Sequence, residues 1–368
     1  MILKIPEKLL SIAPYEPGKP IDEIEREYGI QKSVKLASNE NPLGPSPLAV
    51  EAVKQSLSEM HRYPDGSWHR LRQKIAEKFK VDPETVIIGN GSDDIIALLC
   101  HGFLSTNDNA VMPFPSFLMY DISVRAAGAT PVRVPLDNLA IDLDAVAEAV
   151  DSNTRMVFLT NPNNPTASHF SSNDFQRFIK KIPQDLLVVV DEAYIEFVRD
   201  PDTFNALDNP LSDPRIVSLR TFSKVYGLAG FRVGYGIMDK SVANILHRVR
   251  QPFNVNSLAQ VAAAAAMDDV DFLNTSIRVM HQGVDFLRAE LSAMGLTTHP
   301  TQTNFFLVDV AQDARQVFQA LLRQGIIVRA MNAYGFDTCL RVNAGTESEN
   351  RAFIQALKKV LAGGSPKE

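Results

Sequence analysis

Residues 186–194 read Leu186-Leu187-Val188-Val189-Val190-Asp191-Glu192-Ala193-Tyr194, five aliphatic side chains in a row that end on an acid. An apolar run this short and uniform suits a strand buried on both faces, as inside a parallel sheet covered by helices. Working outward from it, comparable runs recur at 86–88, 110–112, 132–134, 156–159, 216–219 and 232–237. Between most of them lie segments long enough for a helix, several opened by a capping residue such as Asp142 or Ser171. This alternation predicts an α/β fold whose larger domain carries a mostly parallel sheet of about seven strands between helices.

Ahead of these runs, residues 1–45 are rich in Pro, Gly and Asn and read as an extended arm. Val50, Val53, Leu57 and Met60 then make one helical stripe, and Leu71, Ile75 and Phe79 another. Beyond Pro252 the character changes. Two helical stretches, about 254–267 and 270–294, lead to strand-like runs at 304–310, 326–328 and 340–342. A closing helix starts at the capping box Thr346-Glu347-Ser348-Glu349. The expected division is an arm (1–45) packing with a small α+β domain (253–368), with a large domain (46–252) between them in sequence.

The formal net charge of −6 comes without a basic tail or stripe, which argues against a nucleic-acid footprint. Cys100 and Cys339 each sit in an apolar run without metal-like spacing, so buried reduced thiols and no metal site are expected. The first residues lack the apolar core of a signal peptide, and no apolar stretch approaches a membrane span. A soluble, cytoplasmic protein is the expectation.

Four segments carry chemistry. In Val190-Asp191 the acid directly follows a buried strand, so it lies at the carboxyl edge of the sheet, where open α/β folds bind ligands. Asp191 there could keep a pyridine nitrogen protonated, and Tyr194 could reach the same ligand; taken alone, Asp191 equally suits a helix cap or a metal-binding aspartate. Thr221-Phe222-Ser223-Lys224 precedes a glycine-rich stretch ending at Arg232. A lysine so placed can lose enough hydration to act as a Schiff-base nucleophile, and an arginine suits a phosphate or carboxylate. A surface lysine in a loop is the plainer reading of that segment. Asn161-Pro162-Asn163-Asn164-Pro165-Thr166 follows another apolar strand and is by itself a turn signal. Gly89-Asn90-Gly91-Ser92-Asp93-Asp94 joins strand, glycine turn and helix start, an anion site or an ordinary capped helix. It is not a GxGxxG fingerprint, which disfavours a nicotinamide oxidoreductase.

The order of these segments resembles that of fold-type I pyridoxal-phosphate enzymes over nearly the whole chain. More narrowly, Tyr15-Glu16-Pro17-Gly18-Lys19-Pro20, Ser38-Asn39-Glu40-Asn41-Pro42-Leu43-Gly44-Pro45-Ser46-Pro47 and Arg62-Tyr63-Pro64-Asp65-Gly66 are similar to the histidinol-phosphate aminotransferase family. The resemblance implies pyridoxal 5'-phosphate held by Lys224 as a Schiff base. Lys224 then shuttles a proton between the substrate carbon and the cofactor's C4′. It implies Asp191 at the pyridine nitrogen, Asn164 and Tyr194 at the phenolic oxygen, and Phe117 stacked on the ring. Many relatives carry tyrosine at that last position. The cofactor phosphate falls to the Ser92 and Asp93 backbone with Ser223 and Arg232, joined by Tyr63 from a second subunit of a homodimer with shared active sites. Arg341 is implied to grip the anionic group of either substrate, with Arg329 and Tyr15 lining the substrate's phosphate pocket.

The implied reaction exchanges an amino group between histidinol phosphate and 2-oxoglutarate, a small-molecule amino donor and 2-oxo acid acceptor, in histidine biosynthesis. Aromatic amino-acid transamination and phosphothreonine decarboxylation use the same scaffold and stay open as alternatives. A ligand-binding regulator built on an inactive domain is disfavoured by retention of Lys224. Two positions depart from the family's usual pattern. Ala167 follows Thr166 where glycine is commoner, and Asn343 follows Val342 where serine or threonine is.

Overall fold

The computed structural model describes residues 33–208 and 210–363, together with residues 5, 7–14, 25–27 and 29. Seven strands form the large sheet: β1 (Val86–Gly89), β2 (Asn109–Phe114), β3 (Thr130–Pro135), β4 (Thr154–Thr160), β5 (Leu187–Asp191), β6 (Ile216–Thr221) and β7 (Gly234–Ile237). Their spatial order is β1-β7-β6-β5-β4-β2-β3. All run parallel except β7, which is antiparallel to both of its neighbours. The expected α/β class and strand count are both present. One boundary moves: pairing in the 232–237 run begins only at Gly234. Arg232 takes a left-handed φ of 55°, which ends the preceding turn and cannot continue a pleated strand.

Alternation along the central strands feeds two separate cores. Val157, Leu159, Val188 and Val190 pack with Phe175, Phe178 and Ile179 on one side, while Phe158 and Val189 join the larger cluster with Ile95 and Leu99 on the other. Both faces are therefore apolar and helix-covered, which explains why these strands read as continuous hydrophobic runs. Helix Ser172–Lys181 on one face is opened by a Ser171/Asp174 capping box, and Asp142 caps Leu143–Glu148.

A second, antiparallel sheet contains β8 (Thr297–Thr298), β9 (Phe305–Asp309), β10 (Arg329–Ala330) and β11 (Cys339–Asn343), ordered β10-β11-β9-β8. The strand expected at 326–328 divides into two. Ile326–Ile327 pairs in parallel with Val34–Lys35, whereas Arg329 and Ala330 join the small sheet. One segment thus ties the arm to the sheet that carries Arg329 and Arg341. The long helix Val270–Ala293 is capped by Asp269, and the closing helix Glu347–Ala362 starts at the Thr346/Glu349 capping box. Helix Ser257–Ala266 buries its alanine run and packs on helix Pro47–Ser56. Cys100 and Cys339 are buried free thiols, and burial pushes Cys100 up to about 12. Among the described residues no helix is long and apolar enough to cross a membrane, and no cluster of metal-ligating side chains occurs.

Candidate active site

The carboxyl ends of β4, β5 and β6 and the helix start that follows β1 open onto one cavity of about 500 Å³. Ser92, Asp93, Phe117, Asn164, Asp191, Tyr194, Ser223, Lys224 and Arg232 line it from the large sheet's side. Arg329 and Arg341 line it from the small sheet, and residues 37–40 of the arm complete it. Two expected residues stand apart. Tyr63 is 83% exposed and stacks on Phe253, with ring centroids 4.9 Å apart and planes 15° from parallel; it does not line this cavity. Tyr15 lies outside the described residues.

Asp191 ends β5 and is buried. Its Oδ2 accepts from Tyr120 Oη at 2.8 Å and its Oδ1 from the Ala193 N–H at 3.1 Å. Burial raises its pKa to about 6, partly offset by the Tyr120 hydrogen bond. Both donors are neutral, so the buried negative charge suits a cationic ligand atom. The next residue, Glu192, has its carboxylate in a different, wholly buried setting. It accepts from Ser218 Oγ at 2.6 Å, the Ala206 N–H at 2.7 Å and Arg220 Nε at 3.2 Å.

Lys224 follows β6 by three residues. Its Nζ donates to the Ser38 carbonyl at 3.0 Å and lies 5.7 Å from the Tyr194 ring centroid. The loop behind it needs glycine at 227. With φ at 69°, a Cβ there would come within 2.0 Å of the Gly44 carbonyl oxygen, so loop and arm pack backbone to backbone. Tyr194 Oη accepts from Asn39 Nδ2 at 2.9 Å, and burial pushes the phenol's pKa up.

At the other end of the cavity helix Ser92–Phe103 starts behind Gly91, and no side chain at that cap binds the first-turn N–H groups. Arg232 Nη2 donates to Asp93 Oδ1 at 3.0 Å. A Cβ on Gly91 would stand 2.2 Å from Asp93 Oδ1 and 2.6 Å from Arg232 Nη2, and one on Gly234 would stand 2.6 Å from the Ser92 nitrogen. Glycines thus keep a small cradle open at a positive helix end beside a guanidinium, the chemistry of a phosphate site.

Across the cavity, Arg341 Nη1 donates to Asn164 Oδ1 at 2.5 Å and Nη2 to the Ala37 carbonyl at 2.6 Å. Arg329 sits directly opposite Arg341 in the β10–β11 register. The two departures also acquire physical explanations. Ala167 adopts a φ of 62°, the left-handed region in which glycine pays no steric cost. Asn343 does not line the cavity: its Oδ1 accepts the Asn39 N–H at 3.0 Å, fixing the arm residue that in turn holds Tyr194.

Neither Tyr120 nor Thr160 stands out in the sequence, and Asn39 appears there only within a family motif, without an assigned role. Thr160 Oγ1 is 2.8 Å from Tyr120 Oη. The only hint for Tyr120 was its place three residues after Phe117, which brings both rings to one side of a helix start.

A mixed seven-stranded sheet, with lysine, aspartate and arginines gathered at its carboxyl edge, is the architecture of fold-type I aminotransferases. The family model described as aminotransferase class I and II matches residues 31–357, and the chain belongs to that family. Among curated relatives, histidinol-phosphate aminotransferase 2 of Pseudomonas aeruginosa is 48% identical, over 95% of this chain and 96% of its own length. The histidinol-phosphate aminotransferase of Desulfotalea psychrophila is 44% identical, over 98% and 96%. A solved structure of the Sinorhizobium meliloti histidinol-phosphate aminotransferase, in complex with pyridoxal-5'-phosphate, superposes with a TM-score of 0.89 at 26% identity, covering 97% of both chains.

Proposed function

We propose that this chain is a pyridoxal-phosphate-dependent histidinol-phosphate aminotransferase, exchanging an amino group between histidinol phosphate and 2-oxoglutarate in the cytoplasm. The observation that carries the substrate reading is the cross-strand pair Arg329 and Arg341 facing one cavity. An anionic group between two guanidinium forks can take charge-assisted hydrogen bonds from both. Histidinol phosphate brings a phosphate dianion and glutamate two carboxylates, whereas phenylalanine has only its single α-carboxylate to offer.

The large body (46–252) holds the cofactor, and the small body (253–368) with the arm supplies the substrate anchors. The Ser92 and Asp93 N–H groups, Ser223 and Arg232 take the cofactor phosphate. Asp191 faces the ring nitrogen, Asn164 and Tyr194 the phenolic oxygen, and Phe117 the ring face. When bound, pyridoxal phosphate supplies an electron-poor ring that accepts the electron pair of the bond broken at the substrate carbon. Lys224 Nζ tethers it, then takes the proton from the substrate's reacting carbon. Arg341 fixes the substrate's anion so that this carbon faces Lys224.

The test is a comparison of histidinol phosphate, phenylalanine and phosphothreonine, each with 2-oxoglutarate. Histidinol phosphate is expected to lead in kcat/KM by at least about a hundredfold, from its charge-assisted contacts. A preference for phenylalanine, or carbon dioxide release from phosphothreonine, refutes the assignment.

The proposal includes a homodimer that shares its sites through Tyr63. In support, Leu48, Leu57, Met60, Tyr63 and Phe253 are all exposed, so the stripe read at 50–60 is only partly covered by this chain. Lys224→Ala and Tyr63→Ala homodimers are each expected to be weakly active. Mixing them by subunit exchange should restore about a quarter of wild-type activity, since half the dimers then hold one intact site. No recovery after demonstrated exchange rules out the shared site.

A further inference from the structure

We infer that Tyr120 is a positioning residue for this site, orienting Asp191 through its hydroxyl and Phe117 through its ring. The inference rests on the cofactor assignment above. Tyr120 lies in the first turn of helix Met119–Ala126 and is 1% exposed. Its ring stacks on Phe158, centroids 4.8 Å apart and planes 9° from parallel, which leaves it no freedom to swing. It meets the Phe117 ring edge to face, centroids 5.6 Å apart and planes at 84°. Its Oη donates to Asp191 Oδ2 at 2.8 Å and sits 2.8 Å from Thr160 Oγ1, which itself lies 3.1 Å from Ser116 Oγ.

A carboxylate can rotate about its last bond unless both oxygens are held. Ala193 holds one oxygen of Asp191 through the backbone, and Tyr120 holds the other. Thr160 supplies a hydroxyl acceptor or donor beside Oη, so the phenol can keep its own proton on Asp191. Tyr120 itself does not line the cavity, whereas Phe117 and Asp191 do. It therefore acts through those two residues, one against the ring face and one at the ring nitrogen.

The hydroxyl also favours the charged form of Asp191, opposing the burial that raises its pKa to about 6. Asp93 and Glu192, from the neighbouring helix and the adjoining residue, push the other way. The other ionisable groups lining the cavity around it are Glu40, Tyr194, Lys224, Arg232, Arg329 and Arg341.

Tyr120→Phe keeps the ring and its packing while deleting the hydroxyl. The expected results are a cofactor dissociation constant raised about tenfold by equilibrium dialysis and a kcat lowered about tenfold with KM for the amino donor little changed. The acid limb of cofactor association is expected to move up by about one pH unit, because Asp191 then protonates more easily. Comparing variant with wild type cancels the cofactor's own titrations. In an Asp191→Asn background, Tyr120→Phe should add little to the loss, since the group it orients has gone.

Wild-type affinity and an unmoved acid limb in Tyr120→Phe overturn the inference. So does a full-sized further loss in the Asp191→Asn background, which would make Tyr120 a packing residue only. If the wild-type protein itself binds no pyridoxal phosphate, the cofactor assignment fails and this inference falls with it; that outcome is read before any variant is made.

Discussion

Lys224→Ala is expected to cut turnover by at least about a thousandfold, the upper part of the range for a lost proton-transfer group compounded by a lost covalent tether. Visible absorbance from the tethered cofactor should vanish with it, while free pyridoxal phosphate still binds by dialysis. The cradle at Gly91, Ser92 and Arg232 and the carboxylate of Asp191 do not depend on the lysine. The substitution also releases the Ser38 carbonyl that Nζ engages at 3.0 Å, at the edge of the arm. That oxygen borders an open cavity, so water can replace the lost donor and the fold should hold. A spectrum unchanged from wild type would sink the assignment of the tether.

Arg341→Ala is the second large effect. KM for both glutamate and histidinol phosphate should rise by roughly ten- to a hundredfold, as expected for losing a charged hydrogen-bonding fork. A rise for only one of them would dismiss the common anchor. Arg341 also joins three stretches of chain, since it sits on β11 and donates to Asn164 and to the arm at Ala37. Arg341→Lys separates the two roles. It retains the charge but cannot span both acceptors in a fixed plane, so it should recover less than the charge alone would suggest.

Much of this was legible in the chain. The seven apolar runs became the seven strands of the large sheet; six are buried on both faces and advertise themselves without any alternation, while β3 at the sheet's edge buries only Val134. Asp191, Asn164 and Lys224 were legible because each stands at or shortly after the end of a strand that could be located. Tyr120 was not, because an aromatic in an apolar helix start looks like core until its hydroxyl is seen beside a carboxylate. Asn39 sits in a loop with a φ of 55° and meets Tyr194 across 155 residues, a contact that local pattern does not encode. The split of 326–328 was equally hidden, since two successive short pairings with different partners look like one strand. Ala167 shows the converse: its unusual conformation became visible only in the backbone, although the residue type had already marked the position as a departure.

The neighbour of Asp191 has a wider meaning. Along β5 successive side chains alternate sides, and two acids in a row follow the apolar run, Asp191 ending the strand and Glu192 just past it. Only one of them reaches the cavity; Glu192 is enclosed by Ser218, Arg220 and the Ala206 N–H. Sliding β5 by one residue against β6 would put Glu192 in the place of Asp191 and Ala193 in the place of Glu192, leaving Arg220 without that counter-ion and aiming a longer side chain at the ligand. Each of those outcomes is costly in a buried setting. The second acid therefore serves as the reading frame of the strand, ensuring that the residue delivered to the catalytic edge is the shorter one.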